Sequence, residues 1–393
     1  MEPTRQEIEG AVLLMMGFAE RTGLTSEAPP HRYLWTDAFA VCNFLGLARA
    51  TGDESYRALA LKLVDQVHRV LGSYRSDDPR TGWISGLGAR EGEAHPTRGG
   101  LRIGKPLRER SASEPFDERL EWERDGQYFH YLTKWMHALN QVYSQTGESR
   151  YSTWARELAK AAHDAFVEVD GAQTRMVWKM STDLSRPLVP SMGHHDPLDG
   201  FITCVQLEKT KPPKAEGPGL SREAADFAVM LRGRDWATAD PLGLGGLLAD
   251  ASRVSQLMQL GAFATSDLLD ALLDAALRGL QVYSRRAELR RPASERLAFR
   301  ELGLAIGLGA VRQIRSQAER DEASGSHVSK PDAALRALAR HEGLRAEIRS
   351  CWLVPEHRET RTWLEHRDIN DVMLATELVP NGFMSISAAT VAD

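Results

Sequence analysis

Apolar residues return at helical spacing along nearly the whole chain, and the short stretches between them are rich in Gly, Asp and Thr. This is the pattern of consecutive amphipathic helices. An internal repeat sharpens it. Residues 51–71, TGDESYRALALKLVDQVHRVL, align with 146–166, TGESRYSTWARELAKAAHDAF, at a constant offset of 95, sharing Thr51/Thr146, Gly52/Gly147, Tyr56/Tyr151, Ala60/Ala155 and Leu63/Leu158. Each copy predicts an apolar helix closed by a glycine cap and followed by a second amphipathic helix, an αα-hairpin. The alternation continues as 197–210 with 221–232, 241–261 with 266–284, and 296–315 with 332–349. The helix expected near 368–378 has no downstream partner, and the one near 4–22 supplies it if the chain closes into a ring. Six hairpins then make an all-α (α/α)6 toroid spanning 1–393 as one domain. The inner ring is drawn from 35–50, 126–144, 197–210, 241–261, 296–315 and 368–378.

Two segments interrupt the rhythm. Residues 73–124, rich in Gly, Pro and Arg, are too long for a connector and are expected to form a lid-like loop over one mouth of the ring. Residues 316–331 are polar and expected to be a mobile connection. Strand signals are confined to 172–180, AQTRMVWKM.

Composition narrows the function classes. With 49 Lys and Arg against 54 Asp and Glu, the net charge of −5 supplies no basic footprint, which argues against nucleic acid as a partner. No apolar run is long enough to span a bilayer. Cys42, Cys204 and Cys351 form no CxxC pair, so neither a disulfide framework nor a cysteine zinc site is indicated. The opening MEPTRQEIEG has no basic stretch leading into an apolar one, so a cytoplasmic location is expected. Residues 99–105, GGLRIGK, fit the spacing of a phosphate loop, but Pro106 stands where Ser or Thr is needed, and no strand precedes it. No nucleotide or redox cofactor is expected.

Trp35-Thr36-Asp37-Ala38-Phe39 at the head of an inner helix, followed by Thr51-Gly52-Asp53 and Tyr56 at the head of the outer one, resemble the six-hairpin superfamily of carbohydrate-active proteins, and within it the unsaturated glucuronyl hydrolases. In that family one aspartate opens an inner helix shortly before such a turn, and a second does so one hairpin later. The resemblance therefore implies Asp37 and Asp125 as the catalytic pair of a hydrolase acting on a glycoside or an unsaturated or uronic saccharide. Asp125 precedes its Thr-Gly turn by 21 residues and Asp37 by 14, and HHDPLDGF stands where the family carries a tryptophan-rich stretch. The related sugar 2-epimerases share the toroid and work through paired histidines. That leaves an epimerase or isomerase with His130, His194 or His195 as bases as the alternative, beside a toroid that only binds a partner or small ligand.

The N-termini of inner helices gather at one mouth of such a ring, where free N–H groups and helix dipoles converge. The residues expected there as substrate contacts are Trp35, Tyr128, His130, His194, His195, Asp196, Asp199, Arg300, Glu301 and Asp368, with Trp83, Arg98, Arg102 and Lys105 brought in by the long loop. Aromatic faces stack sugar rings, a carboxyl pair supplies acid and base, and guanidinium forks suit an acidic substrate. The competing reading of each aspartate is an ordinary helix cap, and of His130 and His137 buried polar packing. His194-His195-Asp196 followed by Asp199 is the densest polar cluster. It offers no HExxH arrangement, and no metal site is expected from it.

Overall fold

The computed structural model describes residues 3–170, 173–212, 217–286, 288–323 and 333–386. It is all-α, built from hairpins, and its contacts group into two units, 19–232 and 3–18 with 233–386. Helix α1 runs Arg5–Arg21.

In the unit 19–232, α2 (Leu34–Thr51) turns into α3 (Glu54–Leu71) through Gly52 at φ 73°. After two short helices, α4 (Ala89–Ala94) and α5 (Glu118–Glu123), and the strand β1 (Gln127–Tyr128), α6 (Phe129–Thr146) turns into α7 (Ser149–Phe166) through Gly147 at φ 71°. Both turns are the left-handed glycine caps that the repeat predicts, at a backbone conformation in which a side chain is strained. Strands β2 (Val167–Asp170), β3 (Gln173–Met176), β4 (Lys179–Met180) and β5 (Pro187–Val189) follow; β2 pairs antiparallel with β3, and β4 lies between β1 and β5. The third hairpin is α8 (Asp196–Lys209) with α9 (Ser221–Leu231). Helices α2, α6 and α8 pack side by side, each backed by its own hairpin partner. Helix α2 is buried almost end to end, whereas α3 buries one stripe through Ala60, Leu63, Val64, Val67 and Leu71, as expected of an inner and an outer helix.

The unit 3–18 with 233–386 repeats the plan. It comprises α10 (Pro241–Gln259), α11 (Asp267–Arg285), α12 (Ala298–Ala323), α13 (Ala333–Ala339), α14 (Glu342–Leu353), α15 (Arg361–Leu364), α16 (Arg367–Leu378) and α17 (Asn381–Met384). Helices α10, α12 and α16 pack side by side, with α11 on α10 and α14 on α12. Backbones of α10 and α12 touch where Gly245 faces Gly303 and Gly307, a contact that a methyl group at 245 or 307 would break. The first turns of α1 belong here too: Gly10 lies against Leu378 and Glu7 pairs with Arg349.

Three boundaries differ from expectation. Helix α12 continues through 316–323, where a connection was expected, and 324–331 of that segment lie outside the described residues. The single helix expected over 332–349 is two, broken at 340–341. Helix α6 begins at Phe129, because Gln127 and Tyr128 are drawn into a ladder with Lys179 and Met180, so Asp125 lies outside the helix it was expected to open.

Candidate functional site

The segment 101–105 threads past the heads of α2 and α6: Leu34 N–H donates to the Ile103 carbonyl, and Ile103 N–H to that of Gly126. It is held there by Arg102, which is buried and donates to the carbonyls of Val70 and Ser73 at the end of α3 and to Asp125 Oδ2 at 2.5 Å. Asp125 Oδ1 accepts from Gly104 N–H at 3.0 Å. Asp37 turns back to accept from Tyr33 N–H at 3.0 Å, and its other oxygen faces the buried Arg32 at 3.5 Å. Both members of the expected pair are thus committed to the chain that enters their helices. Each is almost wholly buried.

The long loop divides in two. Residues 89–98 lie along α7, where Trp154 donates to the Ala94 carbonyl, Thr97 donates to that of Trp154, and Arg98 pairs with Glu157 at 3.0 Å. Trp83 is wedged between Gly72 and Gly92. Trp83, Arg98 and Arg102 are therefore engaged in holding the loop against α3 and α7. Lys105 is the exception. Its ammonium lies 5.6 Å from the centre of the Tyr33 ring, and burial lowers its pKa against the pull of Glu123 and Asp125.

That lysine borders an aromatic cluster. Tyr33 and Tyr131 share a 2.7 Å hydroxyl hydrogen bond, the Tyr131 ring is 6.5 Å from Trp35 and 5.0 Å from Tyr128, and Tyr128 stacks on His130 at 5.5 Å and 16°. Trp178 extends the row, 5.0 Å from Tyr128 and 5.3 Å from the half-exposed Trp122. Burial raises the Tyr33 phenol to about 12 and raises that of Tyr128, whose hydroxyl has no hydrogen-bond partner among the described residues.

His130 and Asp196 meet at this cluster from two hairpins, one in the first turn of α6 and the other at the first residue of α8. Nδ1 of His130 is 3.7 Å from Asp196 Oδ1, too long for a hydrogen bond. The imidazole is densely surrounded, which lowers its pKa to about 4, yet 38% of its side chain is accessible. Such a group is packed on most sides and open on one. Asp196 is buried, and desolvation, followed by the neighbouring Asp199 charge, lifts its carboxyl to about 7. Its Oδ2 has no hydrogen-bond partner among the described residues. The backbone of Gly193 lies directly on that carboxyl, so close that a methyl group at 193 would collide with it.

Asp199, one turn along α8, is settled differently: both oxygens accept from Lys134, at 2.8 and 3.0 Å, and Oδ2 accepts from Thr133 at 2.6 Å. Deeper between the same helices, His137, Gln206, Asn140 and Thr210 form a buried hydrogen-bonded ladder, so His137 is polar packing. His194 is exposed and His195 half-buried, their rings 4.6 Å apart above the head of α8.

In the other unit, Glu301 is buried under both arms of Arg296 and the Trp352 N–H, Arg300 pairs with Asp240, and Asp368 is part-buried in the first turn of α16. Glu301 is thereby a structural ion pair. Spacing along the sequence could not reveal the contributions of Tyr33, Tyr131, Lys134 and Trp178, although Lys134 lies one turn from His130 on the same stripe. Among the described residues the imidazole and carboxylates compact enough to hold a metal are His163, Asp164 and Glu223, away from this recess. There Lys160 pairs with Glu223, and Asp226 lies 3.0 Å from His163.

No family model matches the chain. Comparison with curated proteins finds no match either. Among solved structures the chain is similar to a crystal structure of D-mannose isomerase, with a TM-score of 0.53 and 12% identity over 96% of this chain and 98% of that one. At that identity the likeness shows the fold alone, an all-α (α/α)6 toroid.

Proposed function

We propose that the chain moves a proton on a small saccharide, as an aldose–ketose isomerase or an epimerase, with His130 as the group that meets the sugar. The observation that carries this reading is the His130–Asp196 pair: an accessible imidazole backed by a buried carboxyl with an unpartnered oxygen, beside a row of aromatic rings. A solved structure of similar fold is that of a D-mannose isomerase, which fits a sugar ligand. Hydrolysis through Asp37 and Asp125 has less support, because both carboxylates are occupied by their own chain.

The chemistry follows from the two environments. Asp196 ionises only near neutrality, and while it is protonated, burial and the Lys134 charge outweigh the pull of Asp199 and keep the ring beside it neutral. Once it is ionised, a proton taken by His130 from the carbon next to the sugar carbonyl creates an imidazolium facing a carboxylate, a pair that burial strengthens. The imidazolium so formed returns the proton to the neighbouring carbon of the enediol while the hydroxyl proton passes between the two oxygens, which is isomerisation; epimerisation needs a second proton donor on the opposite face, for which His194 or His195 is the candidate. The Tyr128 and Trp178 faces offer stacking surface to the ring, and the Tyr33 and Tyr131 hydroxyls and Lys105 offer hydrogen bonds to its oxygens.

The test is to incubate the protein in D2O with a panel of aldoses and follow deuterium entering the carbon next to the carbonyl by NMR. Label should enter at least one sugar, and His130→Gln should suppress entry. Release of sugar from glycosides without deuterium incorporation, dependent on Asp37 and Asp125, would replace this reading with hydrolysis.

A further inference from the structure

A cavity of about 750 Å³ lies wholly within the unit 3–18 with 233–386, in the range typical of small-molecule sites. It opens among the later turns of α10, α12 and α16 and the first turns of α14, and it includes none of the residues of the His130 recess. In α10 alone, about 28 Å of helix separates its far end from the head, where Asp240 caps it.

Five arginines line this cavity: Arg312, Arg315, Arg320, Arg345 and Arg349. Only two carboxylates, Glu7 and Glu342, share the lining. Part of this charge is ordinary architecture. Cations near helix C-termini complement the dipole, Arg349 pairs with Glu7, and Arg345 reaches the buried Glu377 at 2.8 Å. The remainder is engaged only loosely: Arg315 Nε stands 3.5 Å from Glu319, and Arg320 donates to the neutral Gln317. Arg312 and Arg315 stand 3.6 and 3.9 Å from Glu342, outside hydrogen-bond range, while Glu342 Oε1 and the buried Arg345 Nε have no hydrogen-bond partner among the described residues. Guanidinium forks in that state match the oxygens of a phosphate. Beyond the arginines the wall is mixed: Ser252, Ser255 and Gln259 can bond hydroxyls, and Ile306 and Leu378 offer apolar surface.

We propose that this cavity binds a small phosphorylated, hydroxyl-bearing ligand of the sugar-phosphate class, held by Arg312, Arg315 and Arg345. The phosphate neutralises the excess of positive charge, and the hydroxylated body fills the part of the cavity lined by serine and glutamine. Such a site is distinct from catalysis and gives the fold a second small-molecule contact.

The test is titration calorimetry of the full chain with glucose 6-phosphate, and with glucose, inorganic phosphate and gluconate as comparisons. Saturable binding of glucose 6-phosphate is expected, with inorganic phosphate weaker and glucose silent. The double substitution Arg312→Gln with Arg315→Gln should weaken it at least tenfold without changing the helical circular dichroism. Should that variant misfold, Arg320→Gln is the second variant and should weaken binding at least threefold. Absence of saturable heat, unchanged affinity in a folded variant, or gluconate binding as tightly as glucose 6-phosphate would overturn the proposal.

Discussion

Asp125, just ahead of α6, and Asp196, the first residue of α8, are both buried, yet they have opposite characters. Around Asp125 the chain has built a complete set of partners: Arg102 on one oxygen and the Gly104 amide on the other. Around Asp196 it has built walls, with Gly193 pressed on the carboxyl, Oδ2 unpaired, and the Lys134 charge spent on Asp199. A buried carboxylate whose partners are satisfied is a structural rivet. One whose partners are withheld keeps its proton to unusually high pH and has free energy to spend on chemistry. Burial by itself does not separate the two; the hydrogen-bond inventory does.

Substitutions can break that contrast. The largest effect is expected at Asp125→Ala, which leaves Arg102 buried without its counter-charge; a loss of about 3–5 kcal/mol is typical of such a broken pair and would be read by urea unfolding. A loss below about 1 kcal/mol would mean that Asp125 is not the rivet described.

Next is His130→Gln, for which deuterium exchange should fall by ~100-fold or more with unfolding unchanged, the usual cost of removing a general base. Asp196→Asn should act through pH. Because the Asp196 pKa is raised above that of the unfolded chain, the folded state binds the proton more tightly, and native stability falls as pH rises from about 4 to about 7. The asparagine variant should lose that dependence and gain stability relative to the parent at pH 8. It should also lose the rise in exchange rate through pH 7 that ionisation of Asp196 produces. A parent rate profile flat across neutrality would detach Asp196 from the reaction.

The smallest effect is expected at Asp240→Ala. This third aspartate at a helix head accepts only from the Gly243 amide within its helix and meets Arg300 at the surface, so about 1 kcal/mol is expected, as for an ordinary cap.

These three aspartates also show what the sequence could and could not reveal. The hairpins were legible because their signals are local: Thr-Gly at 51–52 and 146–147 sets a left-handed cap, and the apolar stripe of α3 follows at helical spacing. The head of α6 was misplaced because its ladder partners, Lys179 and Met180, lie some fifty residues downstream. The same distance problem hid the site. HHDPLDGF stood out as a polar cluster, and His130 was a candidate in its own right, but nothing in their spacing told that they meet. The fates of Asp37 and Asp125 were hidden in the basic loop, whose Arg102 reads as a free cation in sequence and is a buried strut in the fold.

The glycine at 193 gives the recess a further property. With no side chain to hold it off, the loop backbone lies on the Asp196 carboxyl and keeps water from that side. The height of the loop is then an electrical quantity: raised by the width of one water molecule, it would hydrate the carboxylate and lower the cost of its charge, and lowered again it would restore that cost. On the proposed mechanism, a displacement of one short turn would thereby change the readiness of His130 to take a proton.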